Sequence, residues 1–154
     1  MKTDGPEPEP DEHLRLARYR REFARAAPEE VAGLVARVLA DPDRAMASGA
    51  VCEYLDRRAA ELLTEPAFPA WCRELAQAVS ADGFARRRLD EWALLRAMEL
   101  DEPWEERQLL AASNWLQSQA AESASAGSCL GVLAAGGRTR RIRTTAAARL
   151  RRLR

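Results

Sequence analysis

Apolar residues recur at helical spacing along most of this chain, and tight turns separate the segments that carry them. The clearest stripe comprises Val31, Leu34, Val35, Val38 and Leu39. It ends at Asp41-Pro42-Asp43, a second stripe ends at Asp101-Glu102-Pro103, and a third ends at Gly136-Gly137. Spacing of this kind is typical of amphipathic helices, and no strand-like alternation extends over five residues. The sequence therefore predicts an all-α protein of about eight antiparallel helices.

Residues 11–154 have the length of one domain, whereas residues 1–10 differ from them in composition. The first ten residues contain three prolines among acidic residues, which is typical of a disordered acidic tail. No run approaches the ~18 apolar residues that a membrane span needs. The polar start also lacks the apolar stretch of a signal peptide. We therefore expect a cytoplasmic protein that makes no membrane contact.

Turn and capping chemistry predicts where several helices begin and end. Asp41 is expected to cap a helix, since aspartate is a favoured N-cap residue. A later helix is expected to run over residues 103–122, which places Trp104 and Trp115 on nearly the same face. Thr139 is expected to cap the last helix. The buried stripe of that last helix comprises Ile142, Ala146, Leu150 and Leu153.

The repeated helix–turn–helix pattern resembles the HEAT-like family of helical repeats. The resemblance depends on the Asp-Pro turns and on the last unit. There, a leucine-rich helix, Gly136-Gly137 and an arginine-rich helix follow one another. It covers residues 28–63 and 84–154 and implies a right-handed array, with a compact bundle as the alternative. Small bacterial helical-repeat proteins include regulators, immunity proteins and scaffold subunits, so the resemblance implies binding rather than catalysis.

Charge is unevenly distributed along the chain, although the net charge is zero. Residues 1–12 carry a net charge of −4, residues 13–122 carry another −4, and residues 123–154 contain eight arginines and no acid. Lys2 is the only lysine. This bias is typical of high-GC bacterial genomes, so the use of arginine does not by itself indicate phosphate binding. The basic C-terminal segment is the strongest functional signal in the sequence.

Arginines at the starts of two helices are the main candidates for binding a partner, because cations at the positive end of a helix need compensation. The candidates are Arg138, Arg140, Arg141 and Arg143 in the last helix, and Arg86, Arg87 and Arg88 in an earlier one. The positive charge of these arginines would be compensated by acidic residues elsewhere in the domain, by the acidic tail, by a protein or by a nucleic acid. A solvated surface without a partner is the alternative. We predict a helical adaptor that binds a protein partner through its basic C-terminal unit, to which an acidic partner would be complementary. A nucleic-acid-binding protein is the alternative if both basic clusters share one face.

The four tryptophans are expected to contribute mainly to the core, since large aromatic side chains dominate helical cores. They are Trp71, Trp92, Trp104 and Trp115. An aromatic pocket or a base-stacking groove is the alternative. Trp115 is included among the candidate binding residues, and Asn114 and Gln117 flank it as candidate polar contacts on an exposed ridge.

Sequence signals for metal binding and for catalysis are weak. Cys52, Cys72, Cys129 and the single histidine, His13, lie far apart, whereas zinc sites usually draw ligands from close pairs. We expect buried, reduced thiols, with no metal and no cofactor. Neither a Gly-x-Ser-x-Gly elbow nor a phosphate-binding glycine loop is present. We therefore expect a non-enzymatic protein; an enzyme would need one cavity with two tryptophans and a perturbed carboxylate.

Overall fold

A computed structural model describes residues 11–154, and within them the chain is helical with no strand. The predicted acidic tail, residues 1–10, lies outside the described residues. The helices are α1 (Glu12–Arg25), α2 (Val31–Leu39), α3 (Arg44–Leu62), α4 (Phe68–Ala78), α5 (Gly83–Glu99), α6 (Glu106–Ala111), α7 (Asn114–Ser123), α8 (Gly127–Gly136) and α9 (Arg140–Arg152). A single 3-10 turn, Pro28–Glu30, precedes α2. The all-α prediction is confirmed.

Four helices, α3, α5, α7 and α9, lie side by side and run in the same direction. In each neighbouring pair, residues further along one helix contact residues further along the other, as expected for parallel helices. The contacts are Ser48–Asp82 and Asp56–Arg88 for α3 and α5, Glu91–Ser113 and Glu99–Ser125 for α5 and α7, and Gln117–Arg138 and Ala121–Arg149 for α7 and α9. The intervening helices α2, α4, α6 and α8 return the chain over short connections, with α2 against α4 and α6 against α8. Helix pairs stacked in this way place the starts of α3, α5, α7 and α9 at one edge of the molecule.

These four parallel helices begin with the same kind of hydrogen bond. Each N-cap side chain accepts from the main-chain N–H three residues further on, at 2.9 to 3.2 Å. The caps are Asp43, Asp82, Ser113 and Thr139. Such caps stabilise a helix start by about 1 kcal/mol each. We call the edge formed by these four helix starts the capped edge.

Two clusters of buried side chains fill the space between the helices. The first, from α1 to α5, includes Phe23, Leu55, Leu75 and Leu89. The second, from the later halves of α3 and α5, the start of α4 and helices α6 to α9, includes Leu109, Leu116, Leu130 and Ile142. Trp71 and Cys72 of α4 contact both clusters. Trp92 is buried and the other three tryptophans pack against the core, as predicted.

Asp41 has a different role from the predicted cap. Helix α3 is capped by Asp43 instead, two residues later. The buried Asp41 carboxylate accepts from the Tyr19 hydroxyl at 2.6 Å and from the main-chain N–H of Asp43 at 2.9 Å. The Tyr19 hydrogen bond holds the pKa of Asp41 below its ordinary value. Asp41 thus joins α1 to the turn before α3.

The predicted helix over residues 103–122 is two helices. Helix α6 ends at Ala111, and Ala112 and Ser113 are extended before α7 begins. Ser113 caps α7 and its hydroxyl donates to Glu91 at 2.8 Å, so the polar groups at this break have partners. Trp104 precedes α6 and shares no helix with Trp115. The prediction that these two tryptophans share a helix face was wrong.

Close packing explains the glycine at position 137, between α8 and α9. A Cβ atom on Gly137 would lie 2.7 Å from the Leu133 carbonyl oxygen and 2.7 Å from Cγ2 of Ile142. The first of these atoms belongs to the main chain, which cannot yield without moving the end of α8. Thr139 then caps α9 as predicted. In the predicted stripe Ile142 and Ala146 are buried, Leu150 is half-buried, and Leu153 is exposed.

We expect Gly137→Ala to lower the free energy of unfolding by about 2 kcal/mol, because the methyl group displaces the α8–α9 turn. Gly131→Ala is the matched control, since an added Cβ there meets no heavy atom within 4 Å. This control replaces a glycine inside α8, and alanine is favoured there by about 1 kcal/mol. Urea denaturation of both variants measures the difference. Equal stability of the two variants would contradict the steric explanation.

Candidate functional site

The two basic clusters meet at the capped edge. Arg87 on α5 donates to the carbonyl oxygen of Ala111 at 3.4 Å, and Arg138 donates to that of Ala112 at 3.0 Å. These carbonyls are consecutive on the link between α6 and α7. The guanidinium groups therefore approach the same link from α5 on one side and from the start of α9 on the other. The structure brings together arginines that the sequence analysis could only place in separate helices.

Gln117 holds this part of the edge together from inside the molecule. Its side chain is fully buried, with 0% exposure. The amide Nε2 donates to the carbonyls of Leu109 and Leu110, at 2.8 and 3.2 Å, and Oε1 accepts from the main-chain N–H of Arg138 at 2.8 Å. The prediction of an exposed ridge at Gln117 was wrong. Residues two apart on a helix point in nearly opposite directions, so the fully buried Gln117 and the half-buried Trp115 lie on different sides of α7.

The predicted binding arginines at the start of α9, of which Arg138 precedes the helix, divide into two groups. Arg138 and Arg143 donate to main-chain carbonyls, in the second case to Gly137 at 2.7 Å. Arg140 and Arg141 are exposed. They make no hydrogen bond or ion pair with residues 11–154, and none of the eight C-terminal arginines pairs there with a carboxylate. The acidic residues of the described protein therefore form no direct ion pair with this basic segment.

The three arginines of α5 also differ in their contacts. Helix α5 begins at Gly83, so Arg86 closes its first turn and Arg87 and Arg88 lie in its second. Arg86 is exposed and has no partner among residues 11–154. Arg87 lies 3.6 Å from the carboxylate of Glu91, in addition to its bond with the α6–α7 link. Arg88 forms an ion pair with Asp56 at 2.8 Å.

Trp115 is half-buried in a stack of ordered side chains next to these arginines. The Arg88 guanidinium lies 3.8 Å from the Trp115 ring centroid, a cation–π contact. Trp92 packs edge to face against Trp115, with centroids 5.5 Å apart. The Trp92 indole N–H donates to Asp56 at 2.8 Å. Arg88 thus covers one face of the Trp115 ring, and the exposed Phe84 lies beside Arg88.

A cleft that the sequence analysis missed lies toward the other end of α3. It has a volume of about 610 Å³ and lies between the end of α1, the later half of α3 and the start of α4. Phe23, Tyr54 and Trp71 are its aromatic lining. Its lining includes one tryptophan, so it does not join two tryptophans as the enzyme alternative required. Each aromatic residue fits a helical core stripe, and only tertiary packing reveals that the three share a cleft.

The cysteines occupy apolar positions, as predicted. Cys52 and Cys129 are buried and Cys72 is half-buried, and all three thiols are free. Burial raises the pKa of Cys52 to about 12 and that of Cys129 to about 11. Among residues 11–154, no group of three potential ligands lies close enough to hold a metal ion. No helix in that same range is long and apolar enough to span a bilayer.

The capped edge offers exposed guanidinium donors held on rigid helix starts. Arg44, Arg86, Arg140 and Arg141 are the arginines there that lack a partner within the described chain. Guanidinium groups bind carboxylates and phosphates through paired, charge-assisted hydrogen bonds. Comparisons of this chain with protein-family models, with curated proteins and with solved structures find no match.

Proposed function

We propose that this protein is a cytoplasmic, non-enzymatic bacterial adaptor that binds an acidic protein partner at the capped edge. The binding surface comprises Arg86, Arg87, Arg138, Arg140, Arg141, Arg143 and Trp115. The observation that carries the proposal is the lack of an ion-pair partner for Arg140 and Arg141 within the described residues. Both are exposed at the positive end of α9, and no carboxylate of residues 11–154 pairs with them. A partner's carboxylates would offset this unfavourable arrangement.

The adaptor is proposed to be HEAT-like in its architecture. Four helix pairs in succession, with α3, α5, α7 and α9 parallel, support this relationship. In arrays of this kind each pair contacts its neighbours, and equivalent helix ends form a continuous surface that suits binding. The unequal lengths of the helices, from six residues in α6 to 19 in α3, distinguish this chain from a regular repeat.

Within the proposed surface the arginines have two roles. Arg87, Arg138 and Arg143 bind main-chain carbonyls of the protein itself, and so they fix the shape of the edge. Arg140 and Arg141 have no such bond, and we expect them to contact the partner. Arg140 and Arg141 lie on a helix start that the neighbouring arginines hold in place. Binding of a partner therefore costs less conformational entropy than it would on a mobile segment.

A protein partner fits this surface better than a nucleic acid does. The capped edge has four arginines without a partner in residues 11–154, namely Arg44, Arg86, Arg140 and Arg141. Four cations are few, because tight nucleic-acid binding usually needs many phosphate contacts. Arg88 covers one face of Trp115, which leaves that face closed to a base. Phe84, which is 59% exposed, adds apolar area beside the arginines. Aromatic and arginine side chains together are typical of protein interfaces.

Affinity capture from a lysate of the source organism tests the proposal. One arm is treated with nuclease and the other is not, and each is repeated with the variant Arg140→Gln/Arg141→Gln. We expect one discrete acidic protein in both wild-type arms and its loss from both variant arms. Recovery of nucleic acid, or of proteins that nuclease releases, would favour the nucleic-acid alternative instead. The purified partner would then be titrated at increasing salt, since electrostatic association weakens as salt rises.

A further inference from the structure

The floor of the aromatic cleft is apolar. The rings of Phe23 and Tyr54 stack with their centroids 4.9 Å apart and their planes 17° from parallel. Trp71 extends this surface from α4, and its indole N–H donates to the Tyr54 hydroxyl at 3.3 Å. Alanines at 24, 26, 67 and 70 line the walls and leave the space open. An apolar floor of this kind suits an aromatic group, because ring contacts, edge to face as well as offset-stacked, add to the free energy of burial.

The Tyr54 hydroxyl has an unused hydrogen-bond donor in this floor. Tyr54 is 6% exposed, and its oxygen accepts from Trp71. A phenol can donate one hydrogen bond as well as accept, and no group of residues 11–154 accepts the Tyr54 proton. Burial raises the pKa of Tyr54 above its ordinary value, so the proton is present at neutral pH. A ligand that occupies the cleft therefore meets a donor that needs an acceptor.

The rim of the cleft carries one unpaired charge of each sign. Arg58 and Glu61 form an ion pair with each other at 2.9 Å. Arg57, from α3, lies 5.9 Å from the Tyr54 ring centroid, and Glu74 lines the wall contributed by α4. Both are exposed and neither has an ion-pair partner among residues 11–154. The cleft thus joins a donor-rich, cationic side with an anionic one.

We propose that the cleft binds a free aromatic α-amino acid. The ring of the ligand lies on the aromatic floor, its carboxylate accepts from Tyr54 and Arg57, and its ammonium group lies toward Glu74. A zwitterion matches both unpaired charges, whereas an aromatic acid or an aromatic amine would leave one of them without a partner. The volume of about 610 Å³ is within the range of small-molecule sites.

Titration with L-phenylalanine, followed by the indole N–H resonance of Trp71, tests this inference. The variant Trp71→Phe assigns that resonance among the four tryptophans. Two further probes remove one charge each: L-phenylalaninamide lacks the carboxylate, and N-acetyl-L-phenylalanine lacks the ammonium group. We expect L-phenylalanine to bind at millimolar concentration or below, and each of the other two probes to bind about tenfold more weakly.

Variants at the rim identify which side chain recognises which charge. Arg57→Gln should weaken L-phenylalanine about tenfold and leave the affinity for the amide unchanged. Glu74→Gln should weaken L-phenylalanine to a similar degree and leave the N-acetyl compound unchanged. Arg73→Gln is the matched control, because Arg73 is exposed on the same helix as Glu74 but does not line the cleft. Tyr54→Phe should weaken L-phenylalanine and keep the stacking floor.

Two results would overturn the inference. One is the absence of any shift of the Trp71 resonance at millimolar L-phenylalanine. The other is equal affinity for the three probes, which would show a cleft that selects apolar surface alone. The inference does not rest on the proposed adaptor function, because the cleft and the capped edge lie toward opposite ends of α3. Arg140→Gln/Arg141→Gln should therefore leave the titration unchanged.

Discussion

Replacing Arg140 and Arg141 together by glutamine is expected to weaken binding of the acidic partner roughly a hundredfold, as each charge-assisted hydrogen bond contributes about 1.5 kcal/mol or more. The fold should be unaffected, because neither side chain bonds to residues 11–154. The free energy of unfolding should even rise slightly, since two cations leave the positive end of α9. Calorimetric titration with the captured partner and thermal unfolding of the free protein measure the two effects.

The matched control removes the same charge from the other end of the same helix. Arg151 and Arg152 are exposed in the last turn of α9 and have no partner within residues 11–154. Arg151→Gln/Arg152→Gln should keep the affinity within about twofold, because these residues lie about 15 Å from the capped edge along the helix axis. An equal loss of affinity in both double variants would indicate a general charge effect and contradict the assignment of the site.

Replacing Arg138 is expected to affect stability as well as binding, unlike the replacement of Arg140 and Arg141. Its guanidinium group donates to the carbonyl of Ala112. Loss of that bond would therefore destabilise the link between α6 and α7 as well as weaken binding. The sequence showed four equivalent cations at the start of one helix, and local spacing carries no information about which of them a distant carbonyl accepts. The division of the cluster into arginines that bind main-chain carbonyls and arginines without a partner in residues 11–154 depends on the tertiary fold.

Local chemistry explains the parts of the fold that the sequence predicted well. Thr139 caps α9, and Ile142 and Ala146 are buried beneath it. Capping and the spacing of a helical face depend on residues within one or two turns, so a single sequence contains the necessary information. The all-α class follows from the same stripes, since each amphipathic helix must bury its apolar side against another.

Non-local contacts explain where the predictions were wrong. The break between α6 and α7 depends on Ser113, which bonds to Glu91 on the neighbouring helix. The turns at Asp41 and Asp101 looked equivalent in sequence. In the structure the first lies between two helices of one pair, and the second lies between pairs, where Asp101 has a positive φ of 54°. Turn composition alone does not distinguish these two kinds of connection.

The aromatic cleft could not be predicted for a related reason. Phe23, Tyr54 and Trp71 belong to three helices, and each has the spacing of a core residue. Whether a buried ring also lines an open space depends on the small residues opposite it. Those residues, including Ala24 and Ala70, come from different helices as well. A sequence pattern identifies the apolar side of each helix, but it does not show where neighbouring helices separate.

Gln117→Leu is expected to lower the free energy of unfolding by about 4 kcal/mol. The buried amide is the partner of two carbonyls and one main-chain N–H, and each buried polar group left unpaired costs about 1–3 kcal/mol. The added apolar burial of leucine offsets only part of this cost. The melting temperature should fall by about 10 °C, which scanning calorimetry measures directly.

Gln119→Leu is the control, because Gln119 lies on the same helix and its side chain makes no hydrogen bond within residues 11–154. This change should alter stability by no more than about 0.5 kcal/mol. Similar stability of both variants would contradict the role of Gln117.

Gln117→Leu should also weaken partner binding, although the fully buried Gln117 side chain cannot touch the partner. Without Gln117 the main-chain N–H of Arg138 loses its acceptor, and the start of α9 with its exposed arginines is no longer fixed against the α6–α7 link.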